Sequence, residues 1–550
     1  MRKLVPVIDL FSGPGGLAEG FAAPSKRDGR RRFRIVLSIE NDPAAHRTLR
    51  LRAFFRKFPS GYPARYYKYL NGAISDEPDW AKLYPKKWQE ACGETPRVKL
   101  GTDTAHSLMK KRIREIRREH GDRTVLLGGP PCQSYSVAGR ARNAGNPDYD
   151  IDKDDRLSLY EEYATTLGLL QPTVAVMENV KGMLSARYKD EPVFDDVMKS
   201  LQNAGGRDRY RLCTLSPATA SRAWADGLDP KDFVVRAEQH GVPQRRHRVF
   251  VICIRNDVAS KLPKEIFPKL EAEEARVSVN DVVGAMPQLR SRLSRGVDGA
   301  QLWRSVVEDA HELVGRHLPE MSQTHEKKFR RALKLALEST EDTPLPIRDE
   351  TTTGAAGCVE SCSEALSDWL CDENLVRLPN NETRGHIRED IARYLYAAAF
   401  ASTFLRSPRA ADFPSELAPK HANWDSGKFA DRFRVQLADD PATTITSHIS
   451  KDGHYFIHPD PRQCRSLTVR EAARLQTFPD NYFFHGGRTQ QYVQVGNAVP
   501  PYLAWQIAEQ VANVIEHRDR IFSRSTWRGR QVANGTGHRR TRAPSAHVEP

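Results

Sequence analysis

Short apolar runs alternate with helical patterns over the first half of the chain. Runs rich in Val, Ile, Leu and Phe predict buried strands at residues 5–11, 33–40, 124–129, 173–180, 210–216 and 248–255. Between them, apolar residues recur at helical spacing over residues 105–118, 158–170 and 193–204. This alternation is typical of an α/β fold with a parallel, doubly wound sheet.

The alternation is interrupted once and then stops. Residues 51–98 carry aromatics and prolines that predict an insertion, which is either a packed lobe or a surface for a partner. From about residue 261 the strand–helix rhythm ends, and helical patterns return at 467–478 and 503–515. We therefore predict a first domain over residues 1–260, a second, smaller domain over 261–460 and a return segment over 461–517 that completes the first domain.

The second domain is predicted to end in a β-hairpin. Residues 443–449 and 454–457 flank Asp452 and Gly453, a strong turn signal. His448, His454 and His458 fall on this segment. They either contact nucleic acid or have a structural role.

The charge of the chain is that of a protein that neutralises phosphates, although many basic proteins bind no nucleic acid. Lys and Arg number 84 against 70 acids, which gives a net charge of +14. Residues 518–550 hold eight arginines against Asp519 and Glu549, with little apolar content. We predict that this basic tail is disordered.

No segment has the length and composition of a membrane span or a secretory signal. The longest apolar stretch, residues 394–405, falls well short of the roughly 20 residues that a bilayer span needs. The N-terminal apolar run meets Asp9 too early for a signal peptide. Eight cysteines scattered along such a chain indicate reduced thiols, one of which is available for catalysis. We expect a cytoplasmic protein without a membrane partner.

The first predicted strand runs into a glycine turn. Gly13, Gly15 and Ala18 fit the G-x-G-x-x-A pattern that lets a backbone approach a nucleotide cofactor, and Glu40 ends the second strand, where it could accept ribose hydroxyls. Several cofactors contain adenosine. A nicotinamide oxidoreductase is therefore an alternative at this point.

Two reactive side chains follow neighbouring strands. Cys132 lies just after the strand at 124–129, and Glu178 lies at the end of the strand at 173–180. Side chains at the carboxyl ends of parallel strands face the ligand crevice, although an arbitrary cysteine is more often a buried apolar residue. The pair predicts a nucleophile and an acid in one site.

Six ordered motifs resemble those of the DNA cytosine-C5 methyltransferase family. They are DLFSGPGG at 9–16, PCQ at 131–133, ENV at 178–180, QRRHR at 244–248, RSLTVREAARLQTFPD at 465–480 and QVGNAVPP at 494–501. The resemblance spans residue 5 to about residue 515, apart from the insertion and the second domain. It implies a Rossmann-like S-adenosylmethionine-dependent fold with a target-recognition domain at 261–460.

The resemblance also implies the roles of individual residues. Cys132 would attack C6 of a cytosine that has been flipped out of double-stranded DNA, and Glu178 would bind N3 and the exocyclic amine. Arg246 would support the reacting site and Arg248 would bind O2 of the base; phosphate contacts or surface ion pairs are their alternatives. Residues 134–153 would form a loop that closes over the base. The S-adenosylmethionine site would be lined by Phe11, Gly13, Gly16, Glu40, Asp103, Pro131, Asn497 and Val499.

Three alternatives to a DNA methyltransferase remain at the level of the sequence. One branch of the family methylates tRNA, but its Cys-Phe-Thr signature is absent and the second domain is large. A binding protein without activity would be expected to lack Cys132 or Glu178, and the third alternative is the nicotinamide enzyme. We expect a monomer that protects host DNA within a restriction-modification or phage-defence system in a prokaryotic nucleoid. Cys358, Cys362 and Cys371 do not have a common zinc spacing, so no metal is expected.

Overall fold

The computed structural model describes residues 3–131, 159–188, 191–294, 296–338, 345–349, 362–420, 424 and 431–535, with side chains up to residue 522. The strands are β1 (Val5–Leu10), β2 (Phe33–Ile39), β3 (Val125–Gly128), β4 (Val174–Val180), β5 (Arg187–Tyr188), β6 (Glu191–Pro192), β7 (Tyr210–Cys213), β8 (Val234–Arg236), β9 (Gln244–Arg245), β10 (His247–Arg255), β11 (Arg292–Leu293), β12 (Gly385–His386) and β13 (Ala442–Thr443).

The α-helices of the described residues vary in length from one turn to more than nine. They are α1 (Gly16–Ala22), α2 (Pro43–Phe55), α3 (Ala64–Leu70), α4 (Trp80–Leu83), α5 (Pro85–Glu94), α6 (Asp103–His120), α7 (Leu159–Leu170), α8 (Val193–Gln202), α9 (Asn256–Ala259), α10 (Val279–Val283), α11 (Ala300–Arg316), α12 (Gln323–Glu338), α13 (Glu364–Leu370), α14 (Arg388–Phe404), α15 (Val469–Leu475), α16 (Arg488–Asn497) and α17 (Pro501–Gly535). None of them is long and apolar enough to cross a membrane.

The main sheet has the order β2-β1-β3-β4-β10-β7, with β8 paired to β10. All six strands predicted from the sequence are present. β1 to β4 are parallel, whereas β10 is antiparallel to β4, β7 and β8. The sheet is therefore mixed and not wholly parallel as predicted, because a short connection joins β8 to β10 and such a connection favours antiparallel neighbours.

Helices cover both faces of this sheet. On one face, β1 residues Val5 and Val7 pack with α1 and α17. On the other face, Ile8 and Leu10 pack with α6, α7 and α8. This three-layer arrangement is an α/β fold of the Rossmann-like type, and it leaves the two ends of the strands for ligands.

The insertion is a packed aromatic lobe. The rings of Phe55 and Tyr66 are tilted against each other with centroids 4.0 Å apart, and the ring centroids of Phe54 and Trp80 are 5.3 Å apart. The hydroxyl of Tyr66 donates to the carbonyl of Asn481 at 2.6 Å, which fastens the lobe to the return segment. The apolar cluster of the lobe begins at Leu51 in the last half of α2, and the bounds 51–98 of the insertion stay a prediction.

A second helical body follows the sheet. Helices α11, α12 and α14 pack around Trp303, Phe329 and Tyr396. A separate cluster joins α10 to α15 and α16 through Val279, Val282 and residues of the return segment. This cluster contains residues on both sides of position 460/461, such as Phe456 and Leu467, and the domain boundaries at 260/261 and 460/461 stay predictions.

The predicted hairpin is wrong. Residues 447–450 form a 3-10 turn, and Ile457 pairs with Val435 and Ser466 and not with residues 443–449. Gly453 does have a positive φ of 81°, so the local turn forms without the long-range pairing. His454 and His458 are buried, and burial lowers the pKa of each imidazole, which gives these two histidines a structural role.

The last helix continues beyond the predicted start of the disordered tail. α17 extends to Gly535, and the contacts of Arg518 with Asp122 and of Phe522 with the core beside the sheet hold the helix as far as residue 522. The structure therefore differs from the prediction over residues 518–535. Residues 536–550 lie outside the described residues.

Candidate active site

The turn after β1 holds an unusual backbone conformation at the carboxyl edge of the sheet. Phe11 has a φ of 54°, which is sparsely populated for a residue with a side chain, and Gly13 and Gly15 have φ values of 55° and 105°. The N–H of Ser12 donates to the carbonyl of Ile39 at 3.0 Å. Its hydroxyl donates to the carbonyl of Asp9 at 2.9 Å. These bonds fix a turn that leaves Phe11 and Gly13 partly exposed.

Glu40 connects this turn to the end of β2. Its Oε2 accepts from the N–H of Gly13 at 2.8 Å, and its Oε1 accepts from the N–H groups of Asn41 and Asp42 at 2.8 and 2.7 Å. Burial raises the pKa of the carboxyl, although the backbone donors oppose the shift. Carboxylate oxygens have further lone pairs, so Glu40 retains acceptor capacity for the hydroxyl groups of a ligand.

Gly16 is required by a close approach between α1 and the segment before α17. A Cβ at this position would lie 2.2 Å from the carbonyl oxygen of Val499. The hydroxyl of Tyr482 donates to the carbonyl of Pro14 at 2.5 Å in the same turn. Because Val499 lies beside the glycine turn, the return segment forms one wall of the crevice.

We expect Gly16→Ala to lower the free energy of unfolding by about 1–3 kcal/mol, because the new methyl group overlaps backbone that cannot rotate away. Gly93→Ala is the matched control. Gly93 lies in α5, and a Cβ there meets no atom within 4 Å, so the control should be neutral or stabilising by up to about 1 kcal/mol. Chemical denaturation measures both; equal midpoints for the two variants would contradict the close-packing role of Gly16.

The other predicted cofactor residues flank the crevice. Asp103 is the exposed first residue of α6, and this helix leaves the carboxyl edge because it leads to the start of β3. The chain that precedes α6 passes beside Glu40, because the backbones of Glu40 and Arg97 form an isolated parallel β-bridge. Asn497 is exposed at the end of α16, and Pro131 is the last described residue after β3.

Glu178 lies at the same edge, paired to an arginine. Its Oε1 is 3.1 Å from Nε of Arg248, and both side chains are mostly buried. The antiparallel direction of β10 produces this pair, since Arg248 is opposite Val180 and Phe250 is opposite Glu178. Burial raises the pKa of Glu178, and Arg248 only partly opposes the shift. Glu178 therefore holds a proton more readily than an exposed glutamate.

Arg246 is buried and bonds to backbone. Its Nη1 donates to the carbonyls of Ile445 and Gly496 at 3.0 and 3.2 Å. Burial, together with the charge of Arg248, lowers the pKa of this guanidinium. Arg246 thus joins three separate parts of the chain, and its charge acts on the carboxyl of Glu178.

Cys132 and the predicted loop 134–153 lie outside the described residues. The chain that enters this segment is fixed, however, because Nδ2 of Asn179 donates to the carbonyl of Pro130 at 3.2 Å. Leu10, Gly128 and Met177 are adjacent in register on β1, β3 and β4. The glycine turn, the segment leading to Cys132 and Glu178 therefore meet at one edge.

Comparison with known proteins identifies the family. A family model described as C-5 cytosine-specific DNA methylase matches residues 86–513. The chain belongs to this family. A type II methyltransferase, M.Bpa9945I of Bacillus paralicheniformis, is 31% identical over 528 residues, covering 92% of this chain and 99% of its own. M.AgeI of Thalassovita gelatinovora is 25% identical over 531 residues, covering 92% and 98%.

Membership of the C-5 cytosine-specific DNA methylases decides between the alternatives left by the sequence. The protein is a DNA (cytosine-5-)-methyltransferase, so the nicotinamide oxidoreductase is excluded and the tRNA enzyme is the less supported substrate class. The crevice beside Phe11 and Glu40 belongs to a transferase that needs a methyl donor.

Two residues of this methylase site were missed in the sequence analysis. A Cβ on Gly129 would lie 2.9 Å from Oε2 of Glu178, so a side chain at this position would require the carboxylate to shift. Asn179, quoted only as part of a motif, fixes the chain before Cys132. In the sequence, the only signals for these two residues were the Gly128-Gly129 pair and the motif that contains Asn179. Their distances from Glu178 and Pro130 depend on the folded chain.

Asp9 is a third residue that the sequence did not single out. It is fully buried, and neither of its carboxylate oxygens has a hydrogen-bond partner among the described residues. Burial raises its pKa to about 7.

A basic cavity of about 700 Å³ reaches Arg245, the residue before Arg246. Thr444 in the wall of the cavity is bonded to the strand of Arg245, since the hydroxyl of Thr444 donates to the carbonyl of Arg245 at 2.6 Å. The cavity is lined by Arg245, Arg432, Arg434, Thr443, Thr444, Thr446, His448, Lys451, Asp452, Tyr455 and Phe456. Its charge and hydroxyl groups suit a phosphate backbone.

Among the residues that the structure describes, no group of His, Cys, Asp and Glu could hold a metal ion. Burial raises the pKa of Cys362 to about 11, so its thiol stays protonated at neutral pH. Cys358 lies outside the described residues.

Proposed function

We propose that this methylase transfers a methyl group to C5 of a cytosine flipped out of a specific duplex DNA sequence, with Cys132 as the nucleophile. The observation that carries the proposal is the protonatable Glu178, held against Arg248 at the edge where the chain enters Cys132. A stacked cytosine cannot reach this edge, so the base must leave the duplex.

The chemistry requires activation of a poorly nucleophilic carbon. The thiolate of Cys132 adds to C6 of the cytosine and forms an S–C6 bond. The displaced π electrons move so that C4=C5 forms and N3 takes the proton of Glu178, which makes C5 an enamine carbon. After C5 is methylated, a base removes the C5 proton, C5=C6 re-forms and the thiolate of Cys132 leaves. N3 then returns its proton to the carboxylate of Glu178.

The two arginines have separate roles in this proposal. Arg248 holds Glu178 in position and binds O2 of the base, which stabilises charge on the ring. Arg246 donates to the carbonyls of Ile445 and Gly496, and these bonds position the strand that carries Arg248. Its burial supports a structural contribution to the site and not a phosphate contact.

We propose S-adenosylmethionine as the methyl donor; it supplies an electrophilic methyl group. The residues present fit it. Glu40 has acceptor capacity for ribose hydroxyls, Gly13 has open space where a side chain would lie, and Phe11 is partly exposed. Gly16, Asp103, Pro131, Asn497 and Val499 complete the proposed site.

We expect Glu178→Gln to slow methylation about 10²–10⁴-fold, because an amide cannot give a proton to N3. The pKa of Glu178 is raised, so the wild-type rate should fall as pH rises through that pKa, and this limb should be missing in the variant. Donor affinity should be unchanged.

Single-turnover rates across pH and calorimetric titration with S-adenosylmethionine measure these effects. Glu191→Gln, which removes an exposed carboxylate on β6, should leave both unchanged. A wild-type pH profile in Glu178→Gln would reject the proton-donor role.

The second domain is proposed to select the DNA sequence. The basic cavity beside Arg245 suits the backbone next to the flipped base, while side chains of residues 261–460 would read base edges in the major groove. None of the proposed catalytic residues falls in that span.

We further propose that the enzyme protects host DNA within a restriction-modification system. The type II methyltransferase names of its relatives support this assignment. Bisulfite sequencing of DNA from cells expressing the chain should show one methylated sequence at every occurrence. Methylation of tRNA, with none in duplex DNA, would overturn the proposal.

A further inference from the structure

The edge of the sheet opposite the active site carries exposed cations. Lys3 precedes β1, Arg30 precedes β2, Arg34 lies in β2 beside Pro6, and Arg118 lies in the last turn of α6. Arg520 of α17 follows Asp519, which pairs with Arg123 just before β3. We call Lys3, Arg30, Arg34, Arg118 and Arg520 the amino-edge surface.

Three acids of this edge pair with arginines outside the amino-edge surface, and a fourth, Glu119, lies against His120 at 3.2 Å. Asp122 pairs with Arg255 and Arg518, and Asp519 pairs with Arg123 at 3.0 Å. Asp28 pairs with Arg32 at 3.0 Å. Within the described part of the chain, no ion pair or hydrogen bond engages the side chains of the amino-edge surface. Its positive charge is therefore available to a ligand.

Some of the cations of this edge lie close enough to His120 to affect its pKa. Burial is the main cause of the lowered pKa of His120, but Arg34, Lys3 and Arg123 all contribute to it in spite of Glu119. Lys3 and Arg34 of the amino-edge surface therefore lie close to His120, two residues after Arg118 in the last turn of α6. α17 extends from this surface to Gly535 with three more arginines in its sequence, Arg524, Arg528 and Arg530.

The amino-edge surface is separated from the catalytic crevice. β1 has six residues, and at about 3.3 Å per residue its two ends are about 20 Å apart. The glycine turn and Glu178 are at the carboxyl ends of the strands, whereas the amino-edge surface is at their starts. The duplex segment whose base is flipped therefore does not lie on it.

We propose that the amino-edge surface binds the phosphate backbone of a second duplex segment while a first segment is methylated at the opposite edge. The proposal rests on the proposed action on duplex DNA. Once one segment is bound, distant parts of the same molecule are held at high local concentration, so weak backbone contacts suffice. The surface reads no sequence, because phosphates carry none.

The test compares long and short DNA. The variant Arg30→Glu, Arg34→Glu, Arg118→Glu should bind a duplex of about 1,000 base pairs with a log–log salt slope smaller by about 3, since each lost phosphate contact removes about 0.9. On a target duplex of about 25 base pairs, binding and methylation should match wild type. The glutamine triple variant at the same positions should show the same direction with a smaller change.

The matched control reverses three exposed cations of the insertion lobe, Arg65, Lys82 and Lys86. It should keep the wild-type slope on long DNA. An unchanged slope in the amino-edge variants, or an equal loss in the control, would overturn the proposal. So would loss of binding to anionic vesicles with long-DNA binding intact, which would assign the surface to a membrane. Failure of wild-type protein to methylate the short duplex would reject the proposed function instead.

Discussion

Replacement of Cys132 by serine is expected to abolish covalent capture of DNA and to lower methylation by several orders of magnitude. The proposed mechanism forms an S–C6 bond that breaks only when the C5 proton leaves. With fluorine in place of that proton, the bond persists. Duplex DNA containing 5-fluorocytosine at the target position, with S-adenosylmethionine, should therefore trap wild-type protein in an adduct that survives denaturation.

Gel electrophoresis under denaturing conditions measures the adduct. Cys213→Ser is a suitable control, because Cys213 is buried in the sheet and burial raises the pKa of its thiol to about 12. This control should trap DNA like wild type, provided that it folds, which its melting curve reports. Trapping by Cys132→Ser at the wild-type rate would reassign the nucleophile to Cys92, Cys213 or Cys253.

Removal of Glu471 is expected to lower the free energy of unfolding by about 3–5 kcal/mol, because it leaves a buried guanidinium without its counter-charge. Glu471 accepts two bonds from Arg465, at 2.8 and 2.6 Å, and one from the N–H of Thr468 at 2.7 Å. The Arg465 and Glu471 side chains are 0% and 1% exposed. Glu471→Ala leaves Arg465 with backbone and amide acceptors only.

The same pair predicts a pH dependence. Burial acts to raise the pKa of Glu471, but Arg465 outweighs it and lowers the pKa to about 2. The unfolded value is about 4.3. A depressed folded pKa means that the stabilisation is complete above the unfolded pKa and is lost as pH falls from about 4 toward 2.

Chemical denaturation of wild type and Glu471→Ala at neutral and acid pH tests both statements. The control is Glu326→Ala, which breaks the exposed pair with Arg330 at 2.8 Å and should cost less than about 1 kcal/mol. The double variant Arg465→Met, Glu471→Leu should recover part of the loss, because it removes both charges. A cost for Glu471→Ala as small as that of Glu326→Ala would contradict the buried-pair account.

Much of the catalytic domain could be predicted because its signals are local. Each strand of the main sheet is a short apolar run, and such a run must be buried wherever the chain places it. The order of Cys132, Glu178 and Arg246 in recognisable motifs likewise implied the chemistry, since the reaction needs those residue types. Their individual roles stay predictions.

The hairpin and the tail show where local signals fail. The turn at Gly453 forms as predicted, yet Ile457 pairs with Val435 and Ser466, because a turn signal fixes a bend and not the partner of the strand that follows. α17 continues past Arg518, which a contact with Asp122, far away in the sequence, holds in place.

The sequence by itself determined the family, the strands and the chemical type of the site, since periodicity and motif spacing depend on neighbouring residues. The tertiary structure alone decided that β10 runs antiparallel and so brings Arg248 to Glu178, with a raised carboxyl pKa as the result. It also decided that Gly16 must lack a side chain beside Val499. Burial, charge pairing and close approach are properties of residues distant in the chain, and only folding brings them together.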